Sequence, residues 1–261
     1  MAITGAILGD IAGSQFEFNR APINITDTCE LFAKACSFTD DSVMTLAVKY
    51  AIDRGIGYRE AMQQIGINYP DCGYGGRFYE WIMNKYPDPY NSWGNGSAMR
   101  VSYIGEHFDN LEDVISEAEK SAAVSHNHPE GVKGAVTTAV CIWMAKHKKS
   151  KDEIREYALK QYPDGQYQYT VASDWGDLER NYRWNESCQG SVPVAIKCFL
   201  ETDSYEAFLR RVLRLECDAD TLCCIGGGIA EEYYGGTGFD DEGLIKRYLD
   251  KHLIDIYTVS C

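Results

Sequence analysis

The sequence predicts an all-α protein, a compact orthogonal bundle whose helices cross at steep angles. Apolar residues recur at helical spacing in about ten segments of the chain. No succession of strand and helix segments is visible, and the segment 166–172 alternates only weakly. No linker rich in Pro, Gly or Ser is long enough to divide the 261 residues, so we expect a single domain over 1–261.

The helices of the N-terminal half are predicted from apolar spacing and from residues that begin and end helices. Thr39 is placed to cap a helix whose first turn carries Asp40 and Asp41, and Gly55 is placed to end it. The segment before it is apolar and rich in small residues, which favours a tightly packed buried helix. Helices are predicted at 5–18, 39–54, 58–67 and 78–85.

The C-terminal half shows the same signals. Pro129 stands where the first turn of a long apolar helix is expected, and Asp152 and Glu153 open a charged surface helix. A further run that begins at Thr221 is apolar and rich in glycine. Helices are predicted at 111–124, 130–148, 151–161, 187–200, 204–215, 221–234 and 241–252.

Charge and composition exclude several classes of function. Lys and Arg number 25 against 39 Asp and Glu, a net charge of −14 that disfavours general nucleic-acid binding. This acidity suits either plain solubility or carboxylates gathered around cations. No apolar run is long enough to cross a membrane, and the N-terminus lacks the basic region of a secretory signal. The ten cysteines form no C-x-x-C pair, so we expect thiols in a cytoplasmic protein without structural zinc.

Two polar motifs repeat the same chemistry, a hydroxyl with two acids at a predicted helix start. They consist of Thr39, Asp40 and Asp41, and of Asp218, Asp220 and Thr221. Either motif alone is explained by helix capping. Oxygen ligands of this kind also suit hard cations, and two such sets brought together would hold two Mg²⁺ or Mn²⁺ ions. The repetition makes a metal centre as plausible as capping.

Two further acids interrupt the first apolar segment. Glu17 is either a partly buried acid, base or metal ligand, or an exposed residue at a helix end. Asp10 lies between Gly9 and Ile11 in a run that should be buried. It is expected to support metal ligands, or to satisfy a backbone group or an arginine.

Glycine-rich segments and a pair of histidines are candidates for substrate binding. Glycines that enter a helix expose backbone N–H groups that bind phosphate, although glycine turns without a ligand are common. Neither segment is a Walker A loop or a Rossmann fingerprint. The two histidines are too isolated for zinc and suit contact with a substrate or a structural role. The candidate residues are Gly75, Gly76, Asn95, Gly96, Ser97, Met99, His126 and His128.

Taken in order, six segments resemble the ADP-ribosylglycohydrolase family, and its short bacterial members most. The segments are GDIAGSQFE, FTDDSVMT, GYGGRF, GNGSAMR, SHNHPEG and DADTLCCIGGGIAEEYYG, spread over residues 5 to 236. The resemblance implies an all-α fold with a binuclear Mg²⁺ or Mn²⁺ centre. It also implies hydrolysis of the bond between C1″ of ADP-ribose and a modified acceptor, a protein or a small molecule.

The resemblance also assigns roles to residues. The two repeated motifs match the metal ligands, Glu17, Asp41 and Asp218 become the catalytic candidates, and the glycine-rich segments match loops that hold the diphosphate. One departure is that Glu216 and Cys217 occupy positions where the family commonly has two glycines. A catalytically weak or inactive binding protein on the same fold is the alternative. We expect a monomer with no membrane partner.

Overall fold

The computed structural model describes residues 2–18 and 27–259, and every regular element within them is helical. This confirms the predicted all-α class. A short 3₁₀ helix at Asn95–Ser97 accompanies the α-helices. The α-helices are α1 Ala2–Ser14, α2 Asp40–Arg54, α3 Tyr58–Gly66, α4 Gly76–Met83, α5 Ser102–His107, α6 Leu111–Ala123, α7 Pro129–Lys146, α8 Lys151–Gln161, α9 Trp175–Asn181, α10 Cys188–Leu200, α11 Tyr205–Leu213, α12 Ala219–Tyr234, α13 Asp241–Tyr248 and α14 Lys251–Thr258.

The predicted helix signals act as expected at α2 and α7. Thr39 caps α2 through Oγ1, which accepts from the backbone nitrogen of Asp41 at 3.3 Å. Gly55 ends α2 in the left-handed conformation, with φ at 63°. Pro129 is the first residue of α7. These ends are decided by neighbours in the chain, which is why the sequence locates them.

Two predicted helices need correction, and two observed helices were not predicted. The helix predicted at 5–18 ends at Ser14, whose hydroxyl bonds the carbonyl of Ile11, and the chain then turns. The helix predicted at 241–252 is two helices, because Asp250 accepts from the backbone nitrogen of Leu253 and starts α14. The helices α5 and α9 were not predicted, because six and seven residues are too few to show a period.

The core is organised around α1 and α12, which are buried over nearly their whole lengths. Their backbones touch, because a β-carbon at Gly5 would lie 2.5 Å from Glu231 Cβ and one at Gly13 would lie 2.5 Å from Asp220 Cα. These pairs show that the two helices run antiparallel. The end of α1 therefore lies beside the start of α12, where the second acidic motif stands.

Within residues 2–18 and 27–259, none of the helices combines the length and apolarity needed to cross a bilayer.

Candidate metal and substrate site

Carboxylates from α1, α2 and α12 converge at the end of the core. One oxygen from each of Asp10, Asp41 and Asp220 lies within 4.8 Å of the other two. Oxygens of Glu17, Asp218 and Asp220 form a second group with the same spacing. Because Asp220 belongs to both, the two groups form one cluster, hereafter the acidic cluster. Glu17 is only partly buried, and the other four are buried.

The electrostatics of the acidic cluster are compatible with a bound cation. Burial, followed by the charges of neighbouring carboxylates, raises the pKa of Asp41 and Asp220 well above the usual range. Burial and the charge of Asp218 raise the pKa of Glu17 to about 7. The buried Oδ1 of Asp41 has no hydrogen-bond partner in the described part of the chain. An all-oxygen donor set with an unsatisfied carboxylate oxygen fits hard divalent cations.

Asp10 supports the first motif through hydrogen bonds. Its carboxylate accepts from the backbone nitrogens of Thr39 at 2.9 Å and Ser42 at 3.1 Å. It also accepts from the hydroxyls of both residues. Thr39 Oγ1 therefore donates its proton to Asp10, accepts from the backbone nitrogen of Asp41, and keeps one lone pair for another partner. Of the roles predicted for Asp10, the satisfaction of nearby backbone groups is the one observed.

The second motif is not a capping motif. Asp218 occupies the N-cap position of α12 but makes no side-chain cap bond. It accepts instead from Asn95 Nδ2 at 2.8 Å. Thr221 Oγ1 donates to Asp41 Oδ2 at 3.2 Å, which links the two motifs directly. Capping alone therefore does not explain this motif.

The departure at Glu216 and Cys217 leaves the second motif in place. The Glu216 side chain is 47% exposed and forms an ion pair with Arg183, at 3.5 Å between Oε2 and Nε. Cys217 is buried in the core. Neither residue has a positive φ, so this turn does not require the backbone freedom of glycine.

A cavity of 370 Å³ opens beside the acidic cluster, and its lining contains charges of both signs. Six carboxylates line it together with two arginines, a histidine and glycine-rich turns. The carboxylates are Glu17, Asp40, Asp41, Glu186, Asp218 and Asp220, and the other residues include Arg77, Arg100, His126, Gly75, Gly76, Gly94 and Gly96. A ligand that carries both hydroxyl groups and anionic groups matches this lining.

The structure brings most of the predicted substrate residues to this cavity. Gly75, Gly76, Asn95, Gly96, Met99 and His126 line it. Ser97 and His128 lie outside the lining: Ser97 Oγ donates to the carbonyl of Gly131 at 2.7 Å, and His128 Nδ1 caps α7 by accepting from Glu130 N at 3.1 Å. The functional roles of all these residues remain predictions.

Sequence reasoning missed several lining residues. Arg77 and Arg100 stand inside the motifs GYGGRF and GNGSAMR, so their charge was a visible signal beside the glycines. Trp184 and Glu186 also line the cavity, from the stretch between α9 and α10. No periodicity or motif marks that stretch, so the sequence offers no signal for them.

The comparisons with known proteins agree with this geometry. The fold is that of a solved structure described as an ADP-ribosylglycohydrolase-related protein complex, with a TM-score of 0.73, 18% identity, and coverage of 98% of this chain and 92% of that one. The chain belongs to the ADP-ribosylglycohydrolase family, whose sequence model matches residues 1–254.

Curated relatives are similar over most of their length. The ADP-ribosylhydrolase ARH3 of Homo sapiens is 25% identical, over 89% of this chain and 84% of that protein. The ARH3 of Mus musculus is also 25% identical, with 89% and 82% covered.

Proposed function

We propose that this protein hydrolyses the glycosidic bond at C1″ of ADP-ribose and releases ADP-ribose from a modified acceptor. The cavity beside the acidic cluster, lined by carboxylates, arginines and glycine-rich turns together, is the observation that carries this proposal. Membership of the family and similarity to proteins named ADP-ribosylhydrolases support it.

Two divalent cations, Mg²⁺ or Mn²⁺, complete the proposed site. The residues that would hold them are Thr39, Asp40, Asp41, Asp218, Asp220 and Thr221. When bound, such ions bind ribose hydroxyls and lower the pKa of a water molecule. The four carboxylates supply the negative charge that two divalent ions neutralise, and Asp10 and Asn95 hold the ligands in place.

Proton transfer is assigned to Glu17. It is partly buried at the edge of the acidic cluster and lines the cavity, and its raised pKa lies near neutrality. A carboxyl of this kind accepts or delivers a proton efficiently at physiological pH. Cleavage at C1″ passes through an oxocarbenium-like state, and Asp41 and Asp218 are the alternative candidates to handle the proton of the water or the leaving group.

The glycine-rich turns of the cavity suit the diphosphate. Gly75 precedes α4 without a side-chain cap, so the first amides of that helix are donors without intrahelical partners. Arg77 and Arg100 add positive charge to the lining of the cavity. A groove of 500 Å³ shares Arg77 and Gly94 with the cavity and contains Trp93 and Trp184. Two indole rings of this kind offer stacking surfaces for the adenine base.

The proposed setting is a cytoplasmic monomer. Nine cysteines of the described residues are free thiols, which agrees with a reducing compartment.

The test is calorimetric titration of EDTA-treated protein with ADP-ribose, with and without Mg²⁺ or Mn²⁺, followed by release assays on arginine-linked and serine-linked ADP-ribosylated peptides. Metal-dependent binding with release of ADP-ribose is the expected result. Metal-dependent binding without release from either peptide would favour the inactive binding protein instead. No binding under any metal would overturn the proposal.

A further inference from the structure

A chain of three polar side chains joins two residues that line the cavity, Arg100 and His126. Arg100 is fully buried, and its Nη2 donates to the carbonyl of Ser121 at 2.6 Å and to Ser125 Oγ at 3.1 Å. Ser125 Oγ lies 2.8 Å from His126 Nδ1. The guanidinium carbon of Arg100 stands 5.7 Å from the centre of the Phe78 ring. The chain therefore runs from a buried cation to a histidine that lines the cavity.

The donor and acceptor groups of the three side chains indicate which atom donates at each step of this chain. An arginine only donates, so Ser125 Oγ accepts from Arg100. Within the described residues, the other hydrogen-bond partner of that hydroxyl is His126 Nδ1. If Nδ1 carried the proton, the Ser125 hydroxyl would accept from both neighbours and its own proton would have no acceptor among the described residues. This favours an unprotonated Nδ1 that accepts from Ser125.

The surroundings of His126 keep its ring neutral. Burial and the positive charge of Arg100 hold the pKa of His126 well below its usual range. A neutral ring with a bare Nδ1 carries its proton on Nε2. That atom lies against the glycine turn, because a β-carbon at Gly96 would stand 3.3 Å from Nε2 and one at Gly94 would stand 3.5 Å away.

We propose that Arg100 and Ser125 fix His126 as the Nε2–H tautomer, so that Nε2 donates a hydrogen bond to an oxygen of the bound substrate. This assignment rests on the proposed function for the identity of that oxygen, a phosphate oxygen of ADP-ribose held beside the Gly94 and Gly96 turn. Arg100 and Ser125 are positioning residues that act through the imidazole ring. The Nε2–H donor of His126 is thus held in position while its own ring stays uncharged. Gly94 and Gly96, which have no side chains, leave room for the ring.

The direct test is the ¹⁵N spectrum of histidine-labelled full-length protein at pH 7, without substrate. The His126 signals are assigned by their loss in His126→Gln. We expect a protonated, pyrrole-type Nε2 and an unprotonated, pyridine-type Nδ1. Ser125→Ala should give a tautomer mixture, while Ser125→Thr should keep the wild-type pattern. Ser102→Ala is the matched control, because Ser102 is also buried and its hydroxyl has no partner among the described residues.

Binding supplies the second readout. The affinity for ADP-ribose with saturating Mn²⁺ should fall about tenfold in Ser125→Ala, the loss of roughly one hydrogen bond, and recover in Ser125→Thr. A wild-type spectrum with the proton on Nδ1 would overturn the proposal, whether or not any variant folds. An Nε2–H tautomer that persists unchanged in folded Ser125→Ala would also overturn it. Failure of the wild type to bind ADP-ribose would instead count against the proposed function, because the spectrum is recorded without ligand.

Discussion

The carboxylate of Asp10 accepts both hydrogens that Thr39 can donate, at 2.9 Å from its backbone nitrogen and 2.7 Å from its Oγ1. This contact ties the middle of α1 to the residue that starts α2. It also orients the Thr39 hydroxyl so that, beside the lone pair that accepts from the Asp41 backbone nitrogen, one lone pair is left for another partner. A buried aspartate inside an apolar helix therefore acts as a fixed support for the proposed metal ligands.

Replacing this support should weaken metal binding more than folding. In Asp10→Asn, the amide nitrogen cannot accept, so donors of Thr39 and Ser42 lose a partner. Mn²⁺ affinity is expected to fall about 10–100-fold, as for other residues that orient metal ligands. Calorimetry of Mn²⁺ binding measures this, and the circular dichroism of the helices should stay unchanged. Asp113→Asn, at an exposed acid of α6, is the control. Equal Mn²⁺ affinity in Asp10→Asn and the wild type would contradict this role.

Asp220 belongs to both carboxylate groups. Replacing its side chain should therefore remove metal binding without unfolding the protein. Asp220→Ala is expected to abolish both metal binding and release of ADP-ribose while the helical signal stays intact. In EDTA the variant should be at least as stable as the wild type, because one repelling buried carboxylate is gone. Urea unfolding with and without Mn²⁺ measures both effects, and Asp220→Asn controls for the lost volume. Full activity of Asp220→Ala would remove the metal mechanism.

Glu17→Gln tests proton transfer. The amide keeps the size of the side chain but cannot exchange a proton at neutral pH. Metal-dependent ADP-ribose binding should persist, while the rate constant for release should drop about 10²–10⁴-fold. Single-turnover release from an ADP-ribosylated peptide separates the two readouts. Unchanged turnover would reduce Glu17 to a structural residue.

The stability of the metal-free protein should fall as pH rises from about 5 to about 7.5. Burial raises the pKa of Asp10 to about 6 and that of Glu17 to about 7, whereas in the unfolded chain both groups titrate near about 4. The folded state therefore binds more protons than the unfolded state in this window, so stability is lost as pH rises through the folded pKa values. Urea midpoints in EDTA measure the slope.

His126 acts in the opposite direction, because its lowered pKa favours the unfolded state at acid pH. The comparison of wild type with Asp220→Asn isolates the carboxylates, and the slope should be flatter in the variant. Saturating Mn²⁺ should also reverse the loss at pH 7.5. A wild-type slope in EDTA no steeper than that of Asp220→Asn would refute the proposed repulsion.

The contact between α1 and α12 predicts a further result. A β-carbon at Gly13 would lie 2.5 Å from the backbone of Asp220, so Gly13→Ala must push the two helices apart. The free energy of unfolding should fall by about 1–3 kcal/mol, with a parallel loss of Mn²⁺ affinity. Gly57→Ala is the matched control, because nothing lies within 4 Å of its added carbon, and it should change stability by less than about 0.5 kcal/mol. Equal stability of the two variants would contradict the close approach.

The elements that the sequence predicts correctly are those that depend on near neighbours. The cap at Thr39, the left-handed end at Gly55 and the proline start of α7 follow from the backbone preferences of a few adjacent residues. The family also follows from the order of short motifs, since each keeps its residue types together. The residue types of each motif are a local property of the sequence. The composition of the two acidic motifs alone suggested that they converge.

Local sequence patterns did not predict the side-chain contacts between distant parts of the chain. Asn95 meets Asp218 across 123 positions, and Ser97 turns away from the cavity to bond Gly131. Neither direction follows from the glycine-rich motif in which both residues stand, because a loop's side chains are aimed by what packs around it.

The difference between what the sequence predicts and what only the tertiary structure decides has a physical origin. Helix propensity and capping act within one or two turns, so composition and spacing reveal them. The site instead depends on how closely α1 approaches α12, helices that touch where Gly5 meets Glu231 across 226 positions. Packing between residues so far apart in sequence decides which carboxylates converge and which side chains contact His126, and no local sequence pattern records those contacts.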